Sequence, residues 1–224
     1  MKVKVCGMSD PQNIRAVEAL GVDYIGLIFW PRSPRYVAMA SSGTGLMPDR
    51  ASATEEQSTG TTPRVGVFVD PTVQDILTHA YAFGLSAVQL HGHETPTLLR
   101  NLRRTLGSKT ALWKAISIGN EDDLEVCKAY ADCVDCFVFD TRCATMGGSG
   151  RHFDWSLLEH YPCEVPFMLS GGIGPDDALA LRTALATTLP QQCIGIDLNS
   201  RFETVPGLKN TEALSLFLRQ LRNP

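Results

Sequence analysis

The stretch "FMLSGGIGPDDALALRTALATTLPQQCIGIDLNS", residues 167–200, contains one complete unit of the pattern that organises the chain. It opens on an apolar run at 167–172, breaks at a glycine-rich turn, takes up a helical period over 175–185 and returns to an apolar run at 193–199. Both runs are mostly continuous rather than alternating, which is how parallel strands covered on both faces read. Upstream, similar runs lie at 3–7, 24–29, 64–69, 87–92, 111–116 and 136–141. Amphipathic stretches at 72–83, 95–106, 121–131, 154–161 and 211–223 fall between and after them. In "SDPQNIRAVEALG", Ser9 or Asp10 starts a further helix ahead of Pro11, and Gly21 stops it. Eight such units predict an α/β chain closed as a (β/α)8 TIM barrel, not a doubly wound sheet, in a single domain over 1–224. Residues 38–63 break the pattern: Gly, Ser, Thr and Pro interrupt any helical period and apolar anchors are few. A flexible segment is expected there, with the second helix irregular or missing.

Composition narrows the function classes. The 224 residues are 44% hydrophobic and 20% charged, enough for a sizeable core. A net charge of −4 argues against a nucleic-acid binder, because no basic excess exists to displace counterions. The chain shows neither a secretory-signal pattern at its start nor an apolar run near 18 residues, so no membrane association is expected. Seven scattered cysteines read as reduced thiols in a cytoplasmic protein. "CVDC" at 133–136 has no second Cys or His pair at finger-like spacing, so it reads as packing and no metal is expected.

In a parallel barrel, chemistry gathers where strands end. Cys6, closing the first run, is either a small buried apolar residue or a catalytic thiol at a strand end. Asp140 follows four apolar residues at the end of the sixth run; it either caps a turn or pairs with Arg142, or it keeps a proton to donate. The glycines of "LSGGIGPDD" serve as turn formers or as an anion loop at a helix start. Their place in the seventh unit, with "DLNS" closing the eighth, matches the frequent phosphate site of this fold. Round the ring, an anion held there is flanked by Asp140 on one side and Cys6 on the other.

The segments "KVKVCGMS", "GLIFWPRSPRYV", "VGVFVD", "VQLHGHE", "FDTRCATMGGSGRHFDW", "LSGGI" and "GIDLNSRFETVPGLKN" resemble, in order, the signatures of the N-(5′-phosphoribosyl)anthranilate isomerases of tryptophan biosynthesis. The resemblance runs from residue 2 to about 220 and omits only 38–63. It implies an Amadori rearrangement of N-(5-phosphoribosyl)anthranilate to 1-(2-carboxyphenylamino)-1-deoxyribulose 5-phosphate, with no metal or organic cofactor. By matching position, Asp140 is the general acid on the furanose ring oxygen and Cys6 the base at C2′. Arg35 then meets the anthranilate carboxylate, and a solvated loop arginine is its alternative. His91 lines the substrate site or is a structural imidazole. Asp197 faces the ribose hydroxyls, and Gly171, Gly172, Asn199 and Ser200 hold the phosphate. Trp30 and Trp155 read as packing residues. The partner is a small phosphosugar carrying anthranilate, and the chain is a monomer or a homodimer.

The assigned roles strain ordinary acidities: a free thiol titrates near about 8.5 and a free Asp near about 3.9, the wrong way round for a thiolate base and a protonated acid. An iminium favours the thiolate, whereas the substrate's phosphate and carboxylate oppose it, and the sequence leaves the tuning of Cys6 open. Three departures from the family pattern stand out: segment 38–63, Arg201-Phe202 where many members have Gly-Val, and Asn210 where Asp is frequent, a residue suited to cap a helix. Two rivals remain. Another phosphosugar aldose–ketose isomerase or epimerase needs neither Arg35 nor Cys6, and a non-catalytic phosphate-ligand sensor has no reason to keep Cys6 and Asp140 together.

Overall fold

Continuous apolar runs become eight parallel strands because both of their faces find cover. The computed structural model describes residues 1–39, 62–141 and 155–222. The strands are β1 (Lys2–Val5), β2 (Tyr24–Ile28), β3 (Arg64–Phe68), β4 (Ala87–Leu90), β5 (Ala111–Ile118), β6 (Cys136–Thr141), β7 (Phe167–Ser170) and β8 (Cys193–Leu198). They close in chain order, and β8 pairs back to β1 with Lys2 opposite Gly195 and Lys4 opposite Asp197. Around them lie α1 (Pro11–Glu18), α2 (Val73–Ala82), α3 (Pro96–Leu106), α4 (Asp122–Glu125), α5 (Ala178–Thr187) and α6 (Thr211–Arg222). The molecule is a single-domain TIM barrel. Among the described residues, no helix is long and apolar enough to cross a membrane.

Strand alternation divides the buried side chains into two layers. Outward-facing Val5, Leu27, Phe137 and Leu169 join Ile14, Leu102, Leu181 and Phe217 of the helices in the main core. Inward-facing Val65, Ala87, Ala115, Val138 and Met168 fill the barrel axis. Farther along the strands the interior turns polar, with Lys4, Gln89 and Asp197 all buried. Cys133 belongs to the outer layer and Cys136 to the inner one, so the C-x2-C pair points to opposite sides of the sheet.

Two expected helices differ from the sequence reading. At 121–131 only the four residues of α4 are α-helical, and a 3-10 turn continues over Val126–Ala129. At 154–161 a 3-10 turn covers Trp155–His160. Their apolar anchors, Leu124 with Cys127 and Trp155 with Leu158, recur every third residue, the repeat that a 3-10 helix places on one face. Past β8, strands β9 (Glu203–Val205) and β10 (Leu208–Lys209) form an antiparallel pair across Pro206-Gly207. Asn210 caps α6, its Oδ1 accepting from the Ala213 N–H at 3.0 Å. The expected flexible segment and irregular second helix fall largely on 40–61, outside the described residues.

Phe137 tests the two-layer core, since it is fully buried and meets the rings of Phe139 and Tyr161. Phe137→Ala is expected to destabilise the fold by about 3–5 kcal/mol in urea titration. A loss below about 1 kcal/mol would contradict this packing.

Candidate active site

Strands β1, β4, β6, β7 and β8 deliver polar or glycine-rich segments to the same rim. Cys6 follows β1 and is tied to β8 by its N–H, which donates to the Leu198 carbonyl at 2.8 Å. Asp140 rides near the end of β6, in register with Ser117 of β5 and Ser170 of β7. His91 follows β4, and its Nε2 lies 3.4 Å from Asp140 Oδ2. The Asp140 side chain is 38% exposed, so its carboxylate opens on the mouth instead of sinking among the apolar residues that precede it. Gly171 and Gly172 have φ of 90° and 67°, a left-handed bend that turns the chain sharply after β7.

These segments enclose a cavity of about 500 Å3. Of the nine residues singled out in the sequence, eight line it: Cys6, His91, Asp140, Gly171, Gly172, Asp197, Asn199 and Ser200. Arg35 does not. Its Nε donates to both Glu203 oxygens at 2.8 and 3.0 Å, and its Nη2 to Oε2 at 2.5 Å. The loop carrying it folds back on β2, with the Val37 N–H donating to the Ile28 carbonyl at 2.9 Å.

Glu203 also accepts from Lys209 Nζ at 2.6 Å, and the same ammonium donates to Asn199 Oδ1 at 2.8 Å. Arg35, Glu203, Lys209 and Asn199 thus form one part-buried network behind the loops after β7 and β8. Burial alone would raise the Glu203 carboxyl, but Arg35 and Lys209 outweigh it and bring its pKa down to about 2.

Lys4, Trp30, Glu203, Lys209 and Arg201 were not singled out as site residues. Trp30 lines the cavity, contrary to its reading as packing, while Trp155 packs against the core as expected. Arg201 also lines the cavity, and its guanidinium rests on the loop after β7: a Cβ on Gly174 would stand 3.2 Å from Nε and 3.3 Å from Nη2. The side chain that departs from the family pattern therefore adds positive charge at the glycine loop. Lys4 lies fully buried below the cavity, its Nζ donating to Asp197 Oδ2 at 2.6 Å. Alternation along β1 was the available signal, because residues two apart share a face.

A thiol and a carboxylate at the mouth of a parallel barrel, with a glycine loop between them, define a barrel enzyme of the phosphosugar type. The model of the family described as "N-(5'phosphoribosyl)anthranilate (PRA) isomerase" matches residues 3–220. The chain belongs to this family. It is 42% identical, over 100% of its own length and 95% of the relative's, to the N-(5'-phosphoribosyl)anthranilate isomerase of Parabacteroides distasonis. The crystal structure of phosphoribosyl anthranilate isomerase from Thermotoga maritima superposes with a TM-score of 0.81 at 28% identity, covering 100% of both chains. Another phosphoribosyl anthranilate isomerase structure, in complex with reduced 1-(o-carboxyphenylamino)-1-deoxyribulose 5-phosphate, gives 0.79 at 26% identity, again over 100% of both chains. The activity is phosphoribosylanthranilate isomerisation in tryptophan biosynthesis.

The Glu203 network carries a pH signature. Its carboxyl is held at about 2 against an ordinary 4.5, so the stability it contributes is complete above the higher value and lost as pH falls toward the lower. Across that window the urea midpoint of the wild type should fall more steeply than that of Glu203→Gln. Parallel declines would rule out this role for Glu203.

Proposed function

We propose that Cys6 and Asp140 carry the isomerisation as general base and general acid. Asp140 donates a proton to the furanose ring oxygen, the C1′–O bond breaks, and the anthranilate nitrogen stabilises C1′ as an iminium. Cys6 then removes the C2′ proton to give the enolamine, which tautomerises to the ketone of the deoxyribulose product. The observation that carries this reading is that both groups line one cavity with the loops after β7 and β8. His91, 3.4 Å from Asp140, orients the carboxyl group.

The phosphate is assigned to Gly171, Gly172, Asn199 and Ser200, with the Arg201 guanidinium alongside. Asp197 takes a ribose hydroxyl: its buried Oδ1 has no hydrogen-bond partner among the described residues, and such an atom is costly to leave unmet. Arg35 stands beside the cavity rather than in its lining, with Nε and Nη2 held on Glu203, and would offer only its remaining Nη1 edge to an anthranilate carboxylate reaching the rim. The substrate itself suffices for this chemistry, with no added cofactor in any step. Six free thiols among the described residues support a reducing compartment, the cytoplasm.

Turnover of freshly generated phosphoribosylanthranilate, followed by loss of anthranilate fluorescence, tests these roles. Cys6→Ala and Asp140→Asn should each lower kcat by about 10²–10⁴-fold with KM little changed. Cys6→Ala retaining more than about a third of wild-type kcat, when chemistry limits the rate, would sink the base assignment. Arg201→Ala should weaken ground-state and transition-state binding alike, raising KM and the inhibition constant of inorganic phosphate roughly in parallel at constant kcat. An unchanged phosphate inhibition constant would remove Arg201 from the anion site.

A further inference from the structure

A thiol base at neutral pH needs something to favour its anion, and the cavity floor supplies a candidate. Lys4 and Cys6 stand two residues apart on one face of β1 and its continuation, both turned into the barrel. Opposite them Gly26 of β2 has no side chain. A Cβ there would lie 2.8 Å from Cys6 Sγ and 3.1 Å from Lys4 Cε, so the two side chains meet over the same bare backbone. Lys4 is 0% exposed, and its ammonium donates to Asp197 at 2.6 Å.

We propose that Lys4 is a positioning residue that stabilises the Cys6 thiolate from beneath, with Asp197 fixing the ammonium in place. This rests on reading Cys6 as the base. The charged groups facing the thiol are Lys4 on β1, Asp197 on β8, Lys209 on β10 and Arg35 in the loop after β2. Asp140 and His91 reach the group through Asp197, across the mouth. Lys209 and Arg35 are both bonded to Glu203 and act on Cys6 through charge alone. Lys4 is set apart by its place, its side chain meeting Cys6 over the bare backbone of Gly26.

The balance of forces agrees with this geometry. Burial pushes the Cys6 thiol up, Lys4 is the strongest opposing influence, Asp197 adds to the rise, and Lys209 pulls down; the net shift is upward. Burial likewise works against the Lys4 ammonium, but Asp197 chiefly outweighs it, and its pKa stays above the ordinary lysine value. The resting group is therefore a thiol, and Lys4 is the strongest of the charges that favour its anion. The iminium formed on ring opening then supplies a second positive charge beside the sulfur.

The test reads the thiol directly. Alkylation of Cys6 by iodoacetamide across pH, followed on the Cys6 peptide by mass spectrometry, gives the thiolate midpoint of the free enzyme. Lys4→Met should move that midpoint up and slow Cys6 alkylation at neutral pH by about 10-fold, one pH unit's worth. Lys4→Arg should restore most of the rate. The acid limb of kcat/KM should move the same way. Lys4→Met/Asp197→Asn strands no buried carboxylate and serves if the single variant does not fold; its midpoint should also rise, by less, because the anion is gone too. A merely structural lysine would lower the melting temperature and leave the midpoint in place, and an unmoved midpoint in either folded variant overturns the proposal. Because alkylation needs no turnover, this result stands apart from that of Cys6→Ala, which tests the base assignment itself.

Discussion

Lys4 and Asp197 meet across the seam where the last strand of the barrel returns to the first, and their contact of 2.6 Å sets what the space above it can be. Removing two charges from water costs several kcal/mol per ion, and mutual attraction repays it only with good geometry and few unmet atoms. Here one carboxylate oxygen is satisfied by the ammonium, and the other has no partner among the described residues. An apolar pair would fill the same volume at less cost. The polar layer is explained by what lies over it, a thiol and a sugar-sized cavity, better than by stability of the seam.

From that layer upward the strands divide the work. The cavity is bounded on one side by β1 and on the other by β4 and β6, which bring Cys6 opposite His91 and Asp140. The loops after β7 and β8 close one remaining arc with glycine backbone and Arg201, and β2 and β3 with their loops close the other with Trp30, Ser33, Val67 and Val69. An anion held at those loops would place the adjacent sugar carbons between acid and base, an arrangement that lowers the entropic cost of two proton transfers. The second network, Arg35–Glu203–Lys209–Asn199, stiffens the rim from outside the cavity. It depends on the short β9–β10 pair, which brings Lys209 back to Glu203.

Much of this was legible in the sequence because strand–helix alternation leaves little choice of topology for eight parallel runs. The strand-end rule then marked Cys6, Asp140 and the glycine loop without reference to distance. Other features were not legible, for separate physical reasons. Alternation puts Lys4 on the face of Cys6, but its burial comes only with closure of the ring between β8 and β1. Glu203 and Lys209 lie in the segment after β8, where "VPGLKN" signalled a turn, but the pairing that joins them depends on a register shift between Leu208 and Lys209. Arg35 has the chemistry to grip a carboxylate, and sequence spacing could not show that Glu203 already occupies it. The helices expected at 121–131 and 154–161 are largely 3-10 turns, since their apolar anchors, Leu124 with Cys127 and Trp155 with Leu158, recur at three residues.

The placement of substrate atoms between Cys6 and Asp140 is the claim on which the catalytic account rests. A crystal structure of this chain with reduced 1-(2-carboxyphenylamino)-1-deoxyribulose 5-phosphate bound would test it most directly. The account predicts the phosphate against Gly171, Gly172, Ser200 and Arg201, with sugar C2 within about 3.5 Å of Cys6 Sγ. A ligand bound the other way round, with its phosphate near Cys6, or with C2 beyond reach of the thiol, would contradict it.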